Sequence, residues 1–488
     1  MIRPNILFIA VDDLRPELGC YGNQDIVTPN IDRLAGAGVV FSNAFCQSAV
    51  CNPSRASLLT GLRPEATRVH DLYTSFRDSI PDVVTLPQYF KNNGYTTAAI
   101  GKIFHNTLPD TLSWSEPKLY VEGFPFDPDA VYFSDENLAY IESRRQQFIA
   151  SGDTRRIDQF GKWYIKASAT ECKDLPDNAY YDGAQTDIAI EKLRSLGESE
   201  KPFFLAVGYY RPHLPFNAPK KYWDLYKRED IPLADNPYLP ANMPSMAINN
   251  LRELTGYTDF KGSPGPLEGT LSEDEIRLLR HGYYASVSYV DAQVGRLIDQ
   301  LEKVGLIENT IIVLWGDHGW KLGEHNSWGK MTNFEIDTRV PLVIRAPGMA
   351  GNGKSSPGLV EFVDIYPTLC ELSGLEVPSS LEGISMKPLL EEVELPWKSA
   401  VFSQFLREGI WRGADGNTYM GYSMRTSRYR YNEWIDYFAG ELSGRELYDH
   451  LNDPDENINI ALDPDYKGLV HQLSYQLNAG WKYALPVK

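Results

Sequence analysis

Cys51 opens the run Cys51-Asn52-Pro53-Ser54-Arg55, which continues to Thr60-Gly61. On a helix this spacing sets a thiol and a guanidinium one turn apart. Pro53 suits a first helical turn, so residue 51 falls near the positive end of the helix dipole, where Arg55 can hold a nucleophile and screen its charge. Two adjacent carboxylates, Asp12 and Asp13, follow an apolar run and make poor packing but a good site for a hard cation. Asp317 and His318 follow another apolar run and add a third carboxylate and a further polar ligand. Oxygen-rich coordination of this kind favours Ca2+ or Mg2+ over zinc. Lys102 and His213 also stand just past apolar runs.

The elements that must position these residues read as alternating strands and helices. Residues 5–11 (NILFIAV), 95–100, 202–209 (PFFLAVGY), 310–315 (TIIVLW) and 340–344 are short, continuous apolar runs of the kind buried in a parallel sheet. Thr28-Pro29 supplies an N-cap and first-turn proline for a helix ending near Gly36-Ala37-Gly38, residues 85–93 a helix closed by Gly94, and residues 272–304 a long helical pattern. Strands alternating with helices predict an α/β domain with a large, mostly parallel mixed sheet sandwiched by helices. Ligands bind such sheets outside the carboxyl ends of the strands, where Asp12, Asp13, Lys102, His213, Asp317 and His318 all fall. From about residue 398 the pattern changes to short aromatic-rich segments separated by Gly, Asp and Asn, which predicts a smaller antiparallel sheet with a closing helix over residues 465–477. The expected division is a catalytic domain over 1–395, with an insertion over the site mouth at about 104–182, and an α+β subdomain over 396–488.

Lys and Arg total 47 against 65 Asp and Glu, a formal net charge of −18. That field repels nucleic acid, and an anionic substrate would need a local cationic pocket to enter against it. Five cysteines, Cys20, Cys46, Cys51, Cys172 and Cys370, with no C-x-x-C pair, form neither a disulfide framework nor a zinc pattern. No apolar run approaches the ~20 residues that span a bilayer. The start, Met1-Ile2-Arg3-Pro4, lacks the charged and apolar regions of a signal peptide.

The string Cys51-Asn52-Pro53-Ser54-Arg55…Thr60-Gly61 is similar to the C-x-P-S-R-x(4)-T-G pattern of type I sulfatases, members of the alkaline phosphatase-like superfamily. Across most of its length the chain resembles the iduronate-2-sulfatase branch and its bacterial relatives, in VDDLRPELGCYG (11–22), TPNIDRLA (28–35), CNPSRASLLTG (51–61), LPQYFKNNGY (86–95), GKIFH (101–105), VGYYRPHLPF (207–216), GDHGWKLGEH (316–325) and VPLVIRAPG (340–348). The resemblance implies hydrolysis of a sulfate ester on a sulfated carbohydrate, by a residue 51 oxidised from cysteine to formylglycine (3-oxoalanine). It implies one Ca2+ held by Asp12, Asp13, Asp317, His318 and residue 51. Many members carry Asp-Asn where this chain has Asp317-His318, the His form belonging to the iduronate-2-sulfatase branch. The resemblance further implies that Lys102 and Lys330 hold sulfate oxygens, that His213 or Lys330 protonates the departing alcohol, and that His105 helps remove the proton whose loss expels sulfate. A formylglycine-generating or anaerobic sulfatase-maturating enzyme becomes an expected partner, and the periplasm or the outside of the cell the expected location.

Plainer readings stand beside these. A cysteine outside such a motif usually packs as a small hydrophobe. Trp320 and Trp328 flank the GDHGW stretch and could stack on a sugar, although aromatics usually pack. His70 lies in a loop after the formylglycine helix, where it could line the pocket. Substrate choice is expected to lie in loops 62–80, 104–180 and 406–440. The rival functions are a phosphonate or phosphodiester hydrolase of the same superfamily, and an inert binding protein; the second predicts loss of key residues, yet every expected position is filled.

Overall fold

The computed structural model describes residues 3–105, 108–123, 131–157, 162–409 and 416–486. Parts of the expected 104–182 insertion and of the 406–440 loop therefore lie outside the described residues.

Strand β1, Asn5–Val11, is fully buried and sits at the centre of an eight-stranded sheet. It pairs in parallel with β4 (Phe203–Tyr209) on one side and β5 (Thr310–Gly316) on the other, and β3 (Thr96–Gly101) pairs in parallel with β4. Beyond β5 the sheet becomes mixed. There β6 (Leu342–Arg345) runs antiparallel to β5 and to β2 (Val39–Phe45), while β7 (Lys354–Glu361) is parallel to β2. The apolar run at 340–344 is broken into Arg339–Val340 and β6. Pro341 between them has no N–H to give to a ladder. β2 and β7 were not evident from sequence.

The period-two alternation of β1 divides the core. Leu7, Ile9 and Val11 face a layer containing α1 (Pro29–Gly36), α5 (Tyr181–Gly197) and α6 (Glu273–Lys303). Ile6, Phe8 and Ala10 face α2 (Cys51–Thr60), α3 (Leu86–Asn92) and α7 (Ile365–Leu372). Capping boxes at Thr85/Gln88 and Ser272/Glu275 start α3 and α6. The expected Thr28 cap of α1 is replaced. The Thr28 hydroxyl accepts from Gly19 N instead, and the carboxylate of Asp291 on α6 accepts from Asn30 N (3.0 Å) and Ile31 N (2.7 Å).

The C-terminal antiparallel sheet is present in the order β8 (Ala400–Arg407), β9 (Tyr419–Thr426), β10 (Tyr429–Asp436) and β11 (Leu442–Asp449). Val470 and Leu473 of α8 (Lys467–Ala479) pack on it beside Met424, Tyr431 and Leu447. Strand β8 also reaches back to the larger sheet: Ser403 Oγ donates to Cys46 O and Gln404 N to Gln47 O, just ahead of Cys51. Within the expected insertion, α4 (Asp135–Ser151) buries only Ile141, so it carries no apolar stripe for periodicity to report.

Candidate active site

Register brings the strand ends level: Val11 stands opposite Tyr209 on β4 and Gly316 on β5. Asp12 and Asp317 therefore leave the sheet side by side. Adjacent side chains on a strand point to opposite faces, but Asp13 has φ +58°, in the left-handed region. That turn ends the alternation. The Asp13 N–H donates to Asp317 Oδ1 (3.0 Å), and the Asp13 carbonyl accepts from Tyr283 Oη (2.8 Å) on α6. Asp12, Asp13, Asp317 and His318 are all wholly buried.

Cys51 is the first residue of α2, after Val50 in extended conformation. The helix ends at Gly61, φ +68°, where a Cβ would meet Leu381 Cδ2 at 2.6 Å, which accounts for the glycine of the T-G extension. Arg55 is fully buried over the Trp315 ring. Its Nε donates to Asp317 Oδ2 (2.8 Å), one terminal nitrogen to Asp12 Oδ1 (3.0 Å), and the other to the carbonyls of Lys102 and Ile103. The donors expected to hold residue 51 are thus directed at the aspartates and the chain after β3. Ser54 Oγ donates to Asp317 O.

Lys102 follows Gly101, which has φ +71° and passes so close to Gly208 that a Cβ on either would strike the other strand's backbone. The lysine Nζ lies 2.5 Å from Asp12 Oδ2. Burial pushes the Asp12 carboxyl up, but Lys102 and Arg55 outweigh it and hold it well below the usual range. His105 Nδ1 is buried with no hydrogen-bond partner, and burial followed by the charge of Lys102 holds its imidazole well below the ordinary histidine value, so it is neutral.

His213 lies in the loop after β4. The carboxylate of Asp182 fixes that loop by accepting from Tyr210 N (3.0 Å) and Arg211 N (2.8 Å). His213 Nε2 is 3.0 Å from Glu253 Oε1 and 4.0 Å from Asp13 Oδ2. Lys330 Nζ is 2.7 Å from Asp13 Oδ1 and 3.5 Å from Cys51 Sγ, above the Trp320 ring. Burial opposes the charge of Lys330, but Asp13 raises its amine well above the usual value. Burial, then Asp12, push the Cys51 thiol well above its usual value, so the pocket does not favour a thiolate.

These residues fit a divalent cation. Asp12, Cys51, Asp317 and His318 offer atoms within 4.8 Å of one another, as do Asp12, Asp13 and His213. Asp13 Oδ2 is buried without a hydrogen-bond partner, the mark of an oxygen that a cation would satisfy. His318 Nδ1 lies 3.0 Å from the Gly319 carbonyl, which assigns it the proton and leaves Nε2 as a lone pair 3.2 Å from Cys51 Sγ and 3.3 Å from Asp13 Oδ1. Arg55, Lys102 and Lys330 offset the charge of Asp12, Asp13 and Asp317, so a divalent cation held there would leave the pocket positive, as a chain of net charge −18 needs to receive an anion.

Trp320 and Trp328 are 1% and 4% exposed and belong to the core, so the structure places both rings in packing and offers neither face to a sugar. His70 is half-buried in the loop after α2, and burial and Arg68 lower its imidazole below the usual value. That loop is tied to the site by a residue that sequence reasoning passed over: Asn52 Nδ2 donates to the carbonyls of Asp71 and Thr74, both at 2.9 Å. Glu253 was missed as well. It lies in an aperiodic stretch outside every matched motif.

A sulfatase family model matches residues 4–375, and a model for the C-terminal region of N-sulphoglucosamine sulphohydrolase matches 323–482. The chain belongs to the sulfatase family. It is 36% identical to iduronate 2-sulfatase of Mus musculus, covering 96% of this chain and 93% of the relative, and 32% identical to a sulfatase of Formosa agariphila, covering 98% and 88%. Among solved structures it is similar to a protein bound to D-glucosamine-2-N,6-O-disulfate (TM-score 0.75, 24% identity, covering 99% and 98%) and to the phosphonate monoester hydrolase of Agrobacterium radiobacter (TM-score 0.74, 26% identity, covering 98% and 95%). This sulfatase is a sulfuric ester hydrolase with the alkaline phosphatase-like fold, and among its described residues no helix is long and apolar enough to cross a membrane.

Proposed function

We propose that this sulfatase removes sulfate from a sulfated saccharide, with a 2-O-sulfated uronate as the first candidate, and that residue 51 acts after Cys51 has been oxidised to formylglycine. One observation carries the reading. The first residue of α2 is held between the cation-ligand set, with His318 Nε2 3.2 Å from Cys51 Sγ, and a buried amine, Lys330 Nζ at 3.5 Å. The identity with iduronate 2-sulfatase supports the saccharide class. We assign the cation as Ca2+. Its irregular oxygen coordination suits carboxylates already engaged by Arg55, Lys102 and Lys330 better than the near-ideal octahedron of Mg2+.

The formylglycine, once hydrated, supplies one hydroxyl to attack sulfur and a second whose deprotonation expels sulfate; a serine ester would have no such exit. The chain's own groups do the rest. Lys102 and Lys330 neutralise the sulfate oxygens, and α2 directs its positive end at residue 51. His213 or Lys330 donates a proton to the departing alkoxide, and neutral His105 takes one from residue 51. Asp12, Asp13, Asp317 and His318 would hold the cation. The oxidation of Cys51 requires a maturating enzyme in the producing cell, and a sulfated polysaccharide is met outside the cytoplasm, in the periplasm or beyond.

The test compares sulfate release by the parent and Cys51→Ser, with the side chain of residue 51 identified by mass spectrometry. An aldehyde in the active parent and loss of turnover in the variant are expected; equal activity would exclude the formylglycine mechanism. Paired aryl sulfate and aryl phosphonate esters address the kinship with the phosphonate monoester hydrolase, and much faster phosphonate turnover would overturn the sulfatase reading. A panel of sulfated oligosaccharides then identifies the sugar.

A further inference from the structure

A carboxylate beside a site proposed to receive an anion works against its substrate, so the half-buried Glu253 needs an explanation. Its Oε1 lies 3.0 Å from His213 Nε2 and 3.4 Å from Lys330 Nζ. Both groups also face the cation-ligand side: Asp13 Oδ2 is 4.0 Å from the same His213 nitrogen, beyond hydrogen-bond range, and Asp13 Oδ1 is 2.7 Å from Lys330. Glu253 therefore stands across from Asp13 with the imidazole and the amine between them.

The segment carrying Glu253 is itself fastened to the chain carrying Lys330. Asn249 Nδ2 donates to the carbonyls of Trp328 (3.0 Å) and Lys330 (2.7 Å), and Ser327 Oγ donates back to Asn249 Oδ1. Lys166 Nζ donates to the Glu253 carbonyl (3.2 Å), and Leu254 beside it is 2% exposed. The Glu253 side chain keeps 16% of its surface accessible.

We infer that Glu253 is a positioning residue of the sulfatase reaction, holding the His213 Nε2 and the Lys330 amine together on the side of residue 51 where the leaving-group oxygen of the ester departs. The inference rests on the reading that His213 or Lys330 protonates the departing alcohol. It separates Glu253 from an ordinary buried ion pair by consequence. A pair that only holds the fold affects every substrate alike, whereas a residue that aims the proton donor matters most when the leaving group needs a proton.

The experiment measures kcat and KM of the parent, Glu253→Gln and Glu253→Asp on 4-nitrophenyl sulfate, whose phenolate leaves readily, and on phenyl sulfate, whose phenolate does not. Thermal unfolding is followed alongside. The expected result for Glu253→Gln is a fall in kcat on phenyl sulfate of about 10²-fold, the low end for a positioned general acid, with a clearly smaller fall on the nitrophenyl ester and KM little changed. Glu253→Asp, its carboxylate drawn back by one methylene, falls between. Equal loss on the two esters, or loss on neither, overturns the inference. If Glu253→Gln does not accumulate as folded protein, Glu253→Asp carries the test, and an unchanged ratio of its two rates overturns it. A parent that cleaves the corresponding phosphate esters and not the sulfates defeats the proposed function alone, because the same ratio then reads the role of Glu253 on the phosphate pair.

Discussion

Arg55 Nε donates to Asp317 Oδ2 at 2.8 Å, a contact that joins the helix carrying Cys51 to the end of β5. The same guanidinium reaches Asp12 at the end of β1 and two carbonyls just past β3. One planar cation thus sets the spacing between the nucleophile helix and three strand ends. A guanidinium suits this because its donors diverge in a fixed plane, while an ammonium is a point charge on a flexible stem.

Replacing Arg55 should therefore cost stability as well as activity. Arg55→Ala leaves Asp317 without its buried ion-pair partner and Asp12 with Lys102 alone, a loss of about 3–5 kcal/mol for a broken buried pair. Arg55→Lys restores charge but cannot reach both carboxylates and both carbonyls. Urea denaturation should rank the parent above Lys and Lys above Ala, with both variants severely impaired in turnover. A Lys variant with parental kcat would refute the organising role.

Metal removal should act through Asp13. Its buried Oδ2 has no hydrogen-bond partner, so a cation there satisfies an atom the protein leaves open. Dialysis against a chelator should abolish sulfate release, and Ca2+ should restore it. A ligand at ~1,000 times its Kd stabilises the fold by about 4 kcal/mol, visible as a higher unfolding midpoint. Asp13→Asn should show a much smaller rise on Ca2+ addition. An equal rise in parent and variant would place the cation elsewhere.

Acid should loosen the junction between the two sheets. Glu456 Oε1 accepts from Arg430 Nε (2.6 Å) and His450 Nε2 (2.9 Å), and its Oε2 accepts from Glu335 N (2.7 Å), a short way after Lys330. Burial raises its carboxyl, but Arg430 and His450 outweigh that and hold it at about 2, against 4.5 for an ordinary glutamate. A depressed carboxyl gives stability that is complete above about pH 4.5 and is lost as pH falls toward 2. For this one group the loss is on the order of 2–3 kcal/mol. Urea midpoints at pH 7, 4.5 and 3 should fall steeply across the last interval in the parent and less steeply in Glu456→Gln. Parallel curves would show that the cluster does not govern acid stability.

What the sequence made legible is the part written in strong local signals. The central strands are continuous apolar runs buried on both faces, and their carboxyl ends carry the polar residues that cannot pack. Asp12, Asp13, Asp317 and His318 could be placed on that basis. Strands β2 and β7 were hidden because Ser42 and Asn43 interrupt one, while the other opens with Lys354-Ser355-Ser356-Pro357-Gly358 and has a register break between Ser356 and Leu359. Thr28 looked like a cap, but Asp291, distant in sequence, satisfies the helix start more fully. Arg55 lies one helical turn from residue 51 on α2, yet no spacing rule indicates that its donors turn to carboxylates at two strand ends. Glu253 has no local signal, since its meaning arises only when the chain brings it to His213 and Lys330.

Asn52 offers a final test, because it occupies the variable second position of the Cys51 motif and its role is visible only in three dimensions. Its amide donates to Asp71 O and Thr74 O, and Asp71 Oδ1 in turn accepts from Tyr73 N and Thr74 N, closing a tight turn beside the first residue of α2. Tyr73 on that turn is 79% exposed, so the turn presents its side chain outward rather than packing it. Asn52→Ala removes both tethers without touching a cation ligand. It should raise KM for a saccharide sulfate by roughly tenfold, about the 1.4 kcal/mol expected for losing a net hydrogen bond or two, and leave kcat and the Ca2+-induced rise in unfolding midpoint near parental values. Mass spectrometry of residue 51 must show equal conversion in parent and variant, since the change lies beside the cysteine whose oxidation is proposed. With conversion equal, a fall in kcat at unchanged KM would mean that Asn52 serves the chemistry at residue 51 instead of the turn at residues 71–74.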